Sequence, residues 1–467
     1  MSEPIPTRPM QSKPIIADLH IHSRFSRGCS TDLTIPKLET YARLKGISLL
    51  GTGDFTHPQW LGMLKETLTE DKSGILRTES RFPFMLQTEL SLIYSQGGKG
   101  RRIHVVVLAP TFDVVDQIVE LLKKRGRLDY DGRPIFNIPC PEFVGLMKSI
   151  SEEIEIIPAH IWTPWFSLFG SKSGFDSVRE CFQDQTKHIH ALETGLSSDP
   201  AMNWRISELD NYRLVSFSDS HSYWPWRLGR EATIFKTPFT YQGIMHALKT
   251  GEGLAETLEF WPHEGKYHYD GHRACGIVYA PKESTRHNNI CPVCKKPLTI
   301  GVLHRVEELA DREEGFVPKD APSFRNIIPL SECIAGVLGA GVATKKVWEK
   351  YHVLVKHFGN ELSVLLSAPE DEIARITSSA IAGIIIKNRN QEIEVSPGYD
   401  GVYGQPLFSD ALHPSKASFP AIERKQKSSS EPGLSLSVSS SASSTTTAST
   451  PAPSAQRARQ RGLDEFL

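Results

Sequence analysis

The sequence lacks the features expected of a membrane protein, a secreted disulfide-rich protein or a strongly charged one. It has no uninterrupted apolar run long enough to cross a bilayer, and its opening residues, MSEPIPTRPMQSKP, contain no apolar signal-peptide core. An odd number of cysteines, seven in 467 residues, does not suggest a disulfide framework. The formal net charge of −1 neither requires nor excludes nucleic acid as a partner. We therefore expect a cytoplasmic protein with no membrane association.

The sequence also lacks an internal repeat of fixed period, which argues against a solenoid. Its composition is that of an ordinary globular protein, with 39% apolar and 23% charged residues, and it is sufficient for a sizeable hydrophobic core. Because 467 residues exceed the length of one typical domain, we expect two or three domains.

Apolar runs typical of β-strands alternate with helix-like segments from about residue 14 to residue 240. The runs include FPFMLQTEL and IHVVVLAP, and the helix-like segments include FDVVDQIVELLKKRG. Strands that alternate with helices are typical of parallel sheets with helical crossovers, so this region is predicted to be α/β. About seven such units are visible, which fits a barrel-like domain.

The composition of the chain changes after this region. The predicted segments are an α/β barrel at 14–245, a module rich in Cys and His with a connecting helix at 246–315, a mostly helical region at 316–405, a Ser/Thr/Ala/Pro-rich linker at 406–459 and a terminal motif at 460–467. The linker has too little apolar content to offset the entropy lost on ordering, so we predict that this tail is disordered.

Histidines and carboxylates recur where the apolar runs end. They are His20, His22, Asp54, His57, Glu89, His160, Glu193, Asp219 and His221, and His104 joins them although it begins its run. A single histidine is more often an ordinary core or surface residue, but three pairs after three separate runs are hard to obtain by chance. The carboxyl ends of strands in a parallel barrel meet at one mouth. Imidazoles mixed with carboxylates suit Zn, Mn or Fe, and so many ligands predict two or three ions.

The motifs around these residues resemble those of a known family. An H-x-H after a strand, with a later D-x-H pair, resembles the PHP (polymerase and histidinol phosphatase) domain, and the motifs DLHIHSRFS, GTGDFTHPQW, PAHIWTPWFS, LETGLSSDP and FSDSHS resemble endonuclease Q. The resemblance covers about residues 14–405 and implies a distorted (β/α)7 PHP barrel, a small zinc-binding module and a mostly helical region. It also implies a DNA repair endonuclease that cuts 5′ to deaminated bases (uracil, hypoxanthine, xanthine) or abasic sites.

Carried over position by position, the resemblance implies a set of metal ligands for two or three ions (Zn, Mn or Mg). The set is His20, His22, Asp54, His57, Glu89, His104, His160, Asp219 and His221, of which Asp54, His57, Glu89, His160 and Asp219 are the predicted catalytic residues. Asp54 is either a ligand or a supporting partner, and Glu193 is better interpreted as a supporting residue. The chain departs from the general PHP pattern at Gly28, where many members have another His, and at Asp54-x-x-His57, where an adjacent Asp-His pair is commoner.

Aromatic and basic residues follow the His160 and Asp219 motifs in segments that also contain Pro, Gly and Ser. Aromatic residues are more often core, but this position predicts a rim around the mouth that stacks an extruded nucleotide and meets phosphates. The rim residues are Trp162, Trp165, Phe166, Tyr223, Trp224, Trp226 and Arg227. Damaged DNA is accordingly the predicted partner of a monomeric protein.

A second metal site is predicted near residue 280. His272-x2-Cys275 and Cys291-x2-Cys294 form two ligand pairs whose internal spacing closes a tetrahedral zinc site, with His268 as an alternative to His272. Four protein ligands leave no open position, so one structural zinc ion is expected.

The C-terminal residues QRGLDEFL differ from the linker before them. Gln460, Leu463, Phe466 and Leu467 are similar to a PCNA-interacting motif, with Leu in place of the last aromatic residue. We therefore predict recruitment by the PCNA sliding clamp. Two other functions stay open: a small-molecule phosphatase of the histidinol-phosphate or sugar-phosphate type on the same barrel, and a non-catalytic repair scaffold.

Overall fold

A mixed sheet of eleven strands lies at the centre of the described part of the chain, residues 13–408 in this computed structural model. Its strand order is β15-β12-β11-β1-β2-β5-β4-β3, with β6 paired to β5 and β8, and β7 paired to β5. The strands are β1 Ile15–Asp18, β2 Leu49–Gly51, β3 Thr69–Glu70, β4 Leu76–Arg77, β5 Pro83–Gln96, β6 Lys99–Ala109, β7 Ile135–Phe136, β8 Glu155–Pro158, β9 Ala191–Glu193, β10 Arg213–Val215, β11 Ala232–Phe235, β12 Leu254–Glu259, β13 Asp270–His272, β14 Ile277–Tyr279, β15 Ser323–Asn326, β16 Val395–Ser396 and β17 Gln405–Pro406.

The helices connect and cover these strands. They are α1 Ile35–Lys45, α2 Pro58–Thr67, α3 Phe112–Lys123, α4 Cys140–Ile150, α5 Val178–Phe182, α6 Pro200–Asn203, α7 Tyr241–Thr250, α8 Pro281–Arg286, α9 Val302–Leu309, α10 Leu330–Leu338, α11 Lys345–Phe358, α12 Glu361–Leu366, α13 Glu370–Ile376 and α14 Ser379–Arg389, with 3₁₀ turns at Gln183–His188, Ser207–Asn211, Pro262–Glu264 and Arg273–Cys275. The predicted α/β class and the helices of the region 316–405 are therefore present. The count of seven barrel units and the domain boundaries stay predictions.

The sheet is mixed where the alternation of strands and helices predicted a parallel one. β1 is parallel to β2 but antiparallel to β11, and β5 and β6 form one long antiparallel hairpin from Leu86↔Ala109 to Gln96↔Lys99. For the hairpin, the reason lies in its turn, because Gly97 and Gly98 both have positive φ (62° and 73°). A two-residue turn with positive φ at both positions joins antiparallel strands and leaves no room for a helical crossover.

Local sequence explains how α1 begins and ends. The Thr34 side chain accepts the backbone N–H of Lys37, which satisfies one free donor of the first turn. Gly46 ends the helix with φ 103°, a left-handed conformation in which a side chain would be strained. The helix then packs Leu38, Tyr41 and Ala42 into the core.

The helical region packs against the sheet domain through a buried ion pair. Lys45 Nζ lies 2.7 Å from Glu361 Oε1 at the start of α12, and both side chains are fully buried. The hydroxyl of Tyr351 donates to the other oxygen of Glu361 at 2.9 Å, and the backbone N–H of Leu330 donates to Oε1 at 3.0 Å. These hydrogen bonds offset part of the desolvation of the two charges. The ion pair therefore links the end of α1 to the start of α12 in the helical region.

Candidate functional site

Two groups of side chains that can hold metal ions share a single carboxylate. His20, His22, Glu89 and Asp219 form the first group, and Glu89, His104 and His160 form the second; within each group, one ligand atom from every member lies within 4.8 Å of the others. Glu89 Oε2 lies 3.1 Å from His22 Nε2 in the first group, whereas Oε1 lies 2.8 Å from His104 Nδ1 in the second. Each oxygen of Glu89 therefore faces a different group of potential metal ligands.

Three of the site residues have strained backbones. Asp54, His160 and Asp219 have φ values of 41°, 30° and 45°, which residues other than glycine rarely adopt. Each follows the end of a strand, at β2, β8 and β10 respectively. Such strain costs on the order of 1–3 kcal/mol per residue and persists where the surroundings impose a functional geometry.

Carboxylates orient the rings of the first group from behind. Glu193 Oε1 lies 2.8 Å from His20 Nδ1, which turns Nε2 of His20 toward the other ligands. Nε2 itself is buried and has no hydrogen-bond partner among the described residues. Asp54 Oδ1 lies 3.0 Å from His22 Nδ1 in the same way. A buried ring nitrogen without a partner, supported by a carboxylate on the opposite nitrogen, is the arrangement found around metal-bound histidines.

The charges of the carboxylates suit metal binding. Burial alone would raise the pKa of Asp54, but the charge of His22 and hydrogen bonds from His22 and Ser23 lower it to about 2. Burial also opposes ionisation of Glu89, yet Arg133, His104 and His20 hold its pKa well below the usual range. The carboxylates of Asp54 and Glu89 are therefore both ionised at neutral pH.

The histidines fall into two classes. The pKa of His104 is lowered to about 4 by burial, so its ring is neutral and offers a lone pair. Burial lowers the pKa values of His20 and His22, but neighbouring carboxylates raise them well above the usual range. A metal ion must displace those protons, so binding to the first group weakens as the pH falls.

Six of the nine predicted ligands lie in the two groups, and Asp54, His57 and His221 lie outside them. Asp54 lies behind His22, where its Oδ2 accepts the backbone N–H of Ser23 at 2.6 Å. His57 precedes α2, and its ring stacks on Phe25 at 4.1 Å. The ring of His221 lies 4.2 Å from that of His22, and its Nδ1 lies 3.1 Å from the carbonyl oxygen of Asp219.

The antiparallel direction of β6 explains how His104 reaches the site. His104 pairs with Ser91, two residues beyond Glu89 on the neighbouring strand. In a parallel strand, the beginning of this run would lie at the opposite edge of the sheet from the other ligands. His104, at the start of its apolar run, therefore lies beside ligands that stand at the ends of other apolar runs.

Arg133 is a site residue that the sequence analysis missed. Its Nη1 lies 2.9 Å from Glu89 Oε2, and its side chain is 29% exposed. It belongs to the loop YDGRP before β7, which contains no motif that would identify it. Arg133 balances part of the negative charge of the first group and is partly open to an anionic ligand.

A cleft of about 590 Å³ opens beside the second group and includes His104, His160 and Asp219 in its lining. Aromatic side chains line it as well, including Trp165, Phe166 and Tyr267. Trp165 is 36% exposed, and its ring meets that of Tyr267 edge-on at 5.5 Å. The basic residues Arg227 and Arg230 belong to the same lining. Apolar walls with a few charged groups suit a nucleotide-sized ligand.

The predicted aromatic rim divides into cleft residues and core residues. Trp165, Phe166 and Arg227 line the cleft. Trp162 is 1% exposed and donates its indole N–H to Asn203. The other three differ from the prediction because they pack in the interior. Trp224 and Trp226 contact Trp348 of α11, and Tyr223 packs on Trp224.

The predicted zinc ligands come together in a separate place. One ligand atom each from His272, Cys275, Cys291 and Cys294 lies within 4.8 Å of the others, close enough for the four residues to share one metal ion. Burial would raise the pKa of the Cys291 thiol, but backbone N–H groups of the following turn help lower it to about 6, which favours the thiolate. The alternative ligand His268 lies elsewhere, with its ring 4.2 Å from that of His263.

The predicted clamp-binding residues Gln460, Leu463, Phe466 and Leu467 lie outside the described residues, as does all but the beginning of the linker.

Among the helices of residues 13–408, none combines the length and the apolar character that a membrane span requires.

Comparison with known proteins finds relatives along most of the chain. A family model described as the MJ0043 C-terminal domain matches residues 329–392. The uncharacterised protein MJ0043 of Methanocaldococcus jannaschii is 34% identical over 253 residues, which are 53% of this chain but only 31% of that protein. The uncharacterised protein YqxK of Bacillus subtilis is 32% identical over 412 residues, or 84% of this chain and 99% of that protein.

Two solved structures match both sheet and helical regions. One is the lesion-specific endonuclease PfuEndoQ of Pyrococcus furiosus, at 31% identity and a TM-score of 0.77, covering 87% of this chain and 98% of that one. The other is endonuclease Q bound to a 27-mer duplex with an abasic lesion at the active site, at 31% identity and a TM-score of 0.76, covering 87% of this chain and 99% of that one.

Proposed function

Since this chain belongs to the endonuclease Q family, we propose that it is a metal-dependent DNA repair endonuclease that cuts 5′ to deaminated bases and abasic sites. The observation that carries the proposal is the pair of ligand groups that share Glu89 at the edge of a nucleotide-sized cleft. The relative bound to abasic DNA supports the abasic substrate, and the lesion-specific relative supports the repair role.

The two groups, His20, His22, Glu89 and Asp219 with His104 and His160, would hold two divalent ions, of Zn, Mn or Mg. Such ions lower the pKa of a bound water and neutralise charge on the scissile phosphate. The ligand set needs no Ser or Cys nucleophile.

The protein side chains around the ions have separate tasks. Glu193 and Asp54 hold the rings of His20 and His22 in orientation through their Nδ1 atoms. Arg133 binds Glu89 and offers its exposed part to the phosphate. Arg227, at the cleft, is positioned to meet a flanking phosphate.

A nicking assay tests this function. Duplexes that contain one uracil, hypoxanthine or abasic site, and an undamaged duplex, are incubated with Mg²⁺, Mn²⁺ or Zn²⁺, and the cut is mapped at nucleotide resolution. We expect cutting 5′ to the lesion and none in the undamaged duplex. The variant His22→Ala should lose at least about 100-fold in rate while still binding DNA, since it removes a ligand rather than a DNA contact.

The matched control for that variant is His190→Ala. His190 also pairs with a buried carboxylate, Glu155, at 2.9 Å, but it belongs to neither ligand group. Its loss should leave nicking within about threefold. Full activity of His22→Ala in metal-replete buffer would refute the proposed site.

We further propose that the C-terminal residues dock on a PCNA-type sliding clamp. In one 3₁₀ turn, Leu463, Phe466 and Leu467 would form an apolar plug, with Gln460 as a polar anchor. Calorimetry with a peptide of residues 455–467 should show binding to PCNA. A matched peptide with Phe466→Ala and Leu467→Ala should not bind, and equal binding or equal absence of binding would refute this part.

A further inference from the structure

The loop that joins β10 to β11, residues 216–231, carries two residues of the candidate site. Asp219 belongs to the first ligand group, and Arg227 lines the cleft. All residues of this β10–β11 loop are described, and no helix or strand is present within it. Its shape therefore depends on contacts with other parts of the chain.

The two ends of the β10–β11 loop are tied to each other. Asp18 accepts the backbone N–H of Ser218 at 2.9 Å and its hydroxyl at 2.6 Å, and the same carboxylate accepts the N–H of Gly229 at 2.9 Å. The guanidinium group of Arg230 donates to the carbonyl oxygen of Ser218 at 3.2 Å. These contacts fix the base of the loop, and its middle needs a separate anchor.

Lys45, the last residue of α1, contacts the middle of the loop. Its Nζ donates to the carbonyl oxygen of Pro225 at 2.9 Å, and its side chain is fully buried. A Cβ on Gly229 would lie 2.8 Å from Cγ of Lys45, so the stem of the lysine packs closely against the loop backbone as well. A hydrogen bond from a charged donor is stronger than a neutral one, which makes this contact an effective restraint.

The helical region holds Lys45 in this position. Nζ of Lys45 also lies 2.7 Å from Glu361 Oε1. The two oxygens of Glu361 are further bound by the N–H of Leu330 and the hydroxyl of Tyr351. A buried ion pair keeps its geometry when additional hydrogen bonds satisfy its charged groups, and Glu361 meets that condition. Through Lys45, the helical region is therefore connected to the β10–β11 loop.

The same region also supports the loop by packing. The rings of Trp224 and Trp226, on either side of Pro225, stack at 5.0 Å and lie 5.7 and 5.6 Å from the ring of Trp348 in α11. Apolar packing is not directional, whereas a hydrogen bond is. The tryptophans therefore keep the loop against the helices, and Lys45 fixes the position of its backbone.

We propose that Lys45, anchored by Glu361, is a positioning residue for the nuclease reaction, an inference that rests on the proposed function. Lys45 belongs to neither ligand group nor to the lining of the cleft. By binding the carbonyl oxygen of Pro225, it fixes the segment between Asp219 and Arg227. A displacement of about 1 Å at a reacting site can cost about 100-fold in rate. The helical region thereby contributes to the reaction through the loop.

The test uses a pair of neutral substitutions. Lys45→Met alone leaves the carboxylate of Glu361 buried without its partner, and we expect that variant to fold poorly. The double variant Lys45→Met/Glu361→Gln neutralises both groups with side chains of similar size. Tyr351→Phe is the matched control, because it removes a hydrogen bond to the same carboxylate that does not involve the loop.

Hydrogen–deuterium exchange of a peptide covering residues 221–230 reports on the loop directly. In the double variant, this peptide should exchange about tenfold faster or more, since a hydrogen bond from a charged group is lost. A peptide from α7 should keep its wild-type exchange rate. For a duplex with an abasic site, kcat/KM of the double variant should fall about 10- to 100-fold.

Tyr351→Phe should lower the Tm but leave both loop exchange and kcat/KM within about threefold of wild type, since the contact with Pro225 remains. Wild-type exchange or wild-type nicking in the folded double variant would overturn the inference while the nuclease assignment stands. Equal changes in the double variant and in Tyr351→Phe would assign the network to general stability and overturn it too. If the wild-type protein cuts no lesion duplex, the proposed function fails, and the role of Lys45 in the reaction fails with it.

Discussion

Glu193 Oε1 lies 2.8 Å from His20 Nδ1, and Oε2 of the same carboxylate accepts the backbone N–H of His160 at 2.7 Å. One buried side chain thus positions a member of each ligand group, although it belongs to neither. Supporting contacts of this kind set the orientation of a metal-bound ring and its basicity, and their loss typically weakens metal binding 10- to 100-fold.

Glu193→Gln should therefore lower the affinity for divalent ions by about 10- to 100-fold, with the protein still folded. Titration calorimetry with Mn²⁺ or Zn²⁺ measures the change. Glu155→Gln is the matched control, because Glu155 is equally buried and contacts His190 Nδ1 at 2.9 Å outside the ligand groups. Equal affinities in the two variants would contradict the supporting role of Glu193.

Cys291→Ser should reduce the zinc content by about one ion per chain and lower the Tm, since a tetrahedral structural site loses a ligand. Elemental analysis and thermal unfolding provide the two measurements. Cys333→Ala alters a buried cysteine outside the group and should retain the zinc. An unchanged zinc content in Cys291→Ser would show that these four residues hold no ion.

Trp224→Ala should lower the free energy of unfolding by about 3–5 kcal/mol, because the ring is buried against Trp226 and Trp348. Trp165→Ala should change it by about 0.5 kcal/mol or less but weaken binding of lesion DNA, since Trp165 is partly exposed in the cleft. Urea denaturation and a DNA-binding titration measure these effects. If the Trp224→Ala variant had normal stability but bound lesion DNA poorly, Trp224 would belong to the DNA-binding rim and not to the core.

Glu259 makes the stability of the fold depend on pH. Burial raises its pKa to about 8, although the Thr194 hydroxyl donates to Oε2 of this carboxyl group at 2.8 Å and acts in the opposite direction. The folded state therefore keeps a proton that the unfolded state releases above its own pKa of about 4.5, and stability falls as the pH rises from about 4.5 to about 8.

Glu259→Gln should weaken this pH dependence, while the neighbouring buried Glu231, whose pKa burial also raises, keeps its own part. Relative to wild type, the variant should gain on the order of 1–4 kcal/mol in the free energy of unfolding between pH 5 and pH 8. Denaturation at the two pH values measures the gain. Glu120→Gln, at an exposed acid, should show no such trend. A parallel pH response of Glu259→Gln and wild type would contradict the neutral state of Glu259.

Short-range patterns in the sequence were sufficient to find most of the side chains that the structure brings together in the ligand groups. The ligands at the ends of apolar runs and the paired Cys and His spacing needed only local order, since strand ends and metal knuckles are local features. Six of the nine predicted ligands and all four preferred zinc ligands lie in such groups. Endonuclease Q membership was also predicted from the motifs and is confirmed by the structural matches.

The sequence by itself determined which residue types stand at each strand end, because alternation, turn residues and ligand spacing act within a few positions. Only the tertiary structure decided which atoms meet. Because of the two-glycine turn, β6 runs antiparallel to β5, and His104 lies beside Glu89. Arg133 contacts Glu89 from a loop that contains no motif. Trp348 packs on Trp224, which lies more than 100 positions earlier in the sequence. These contacts depend on long-range packing. Whether a side chain is buried, and which residue it contacts, depends on distant chain segments that no local sequence pattern specifies.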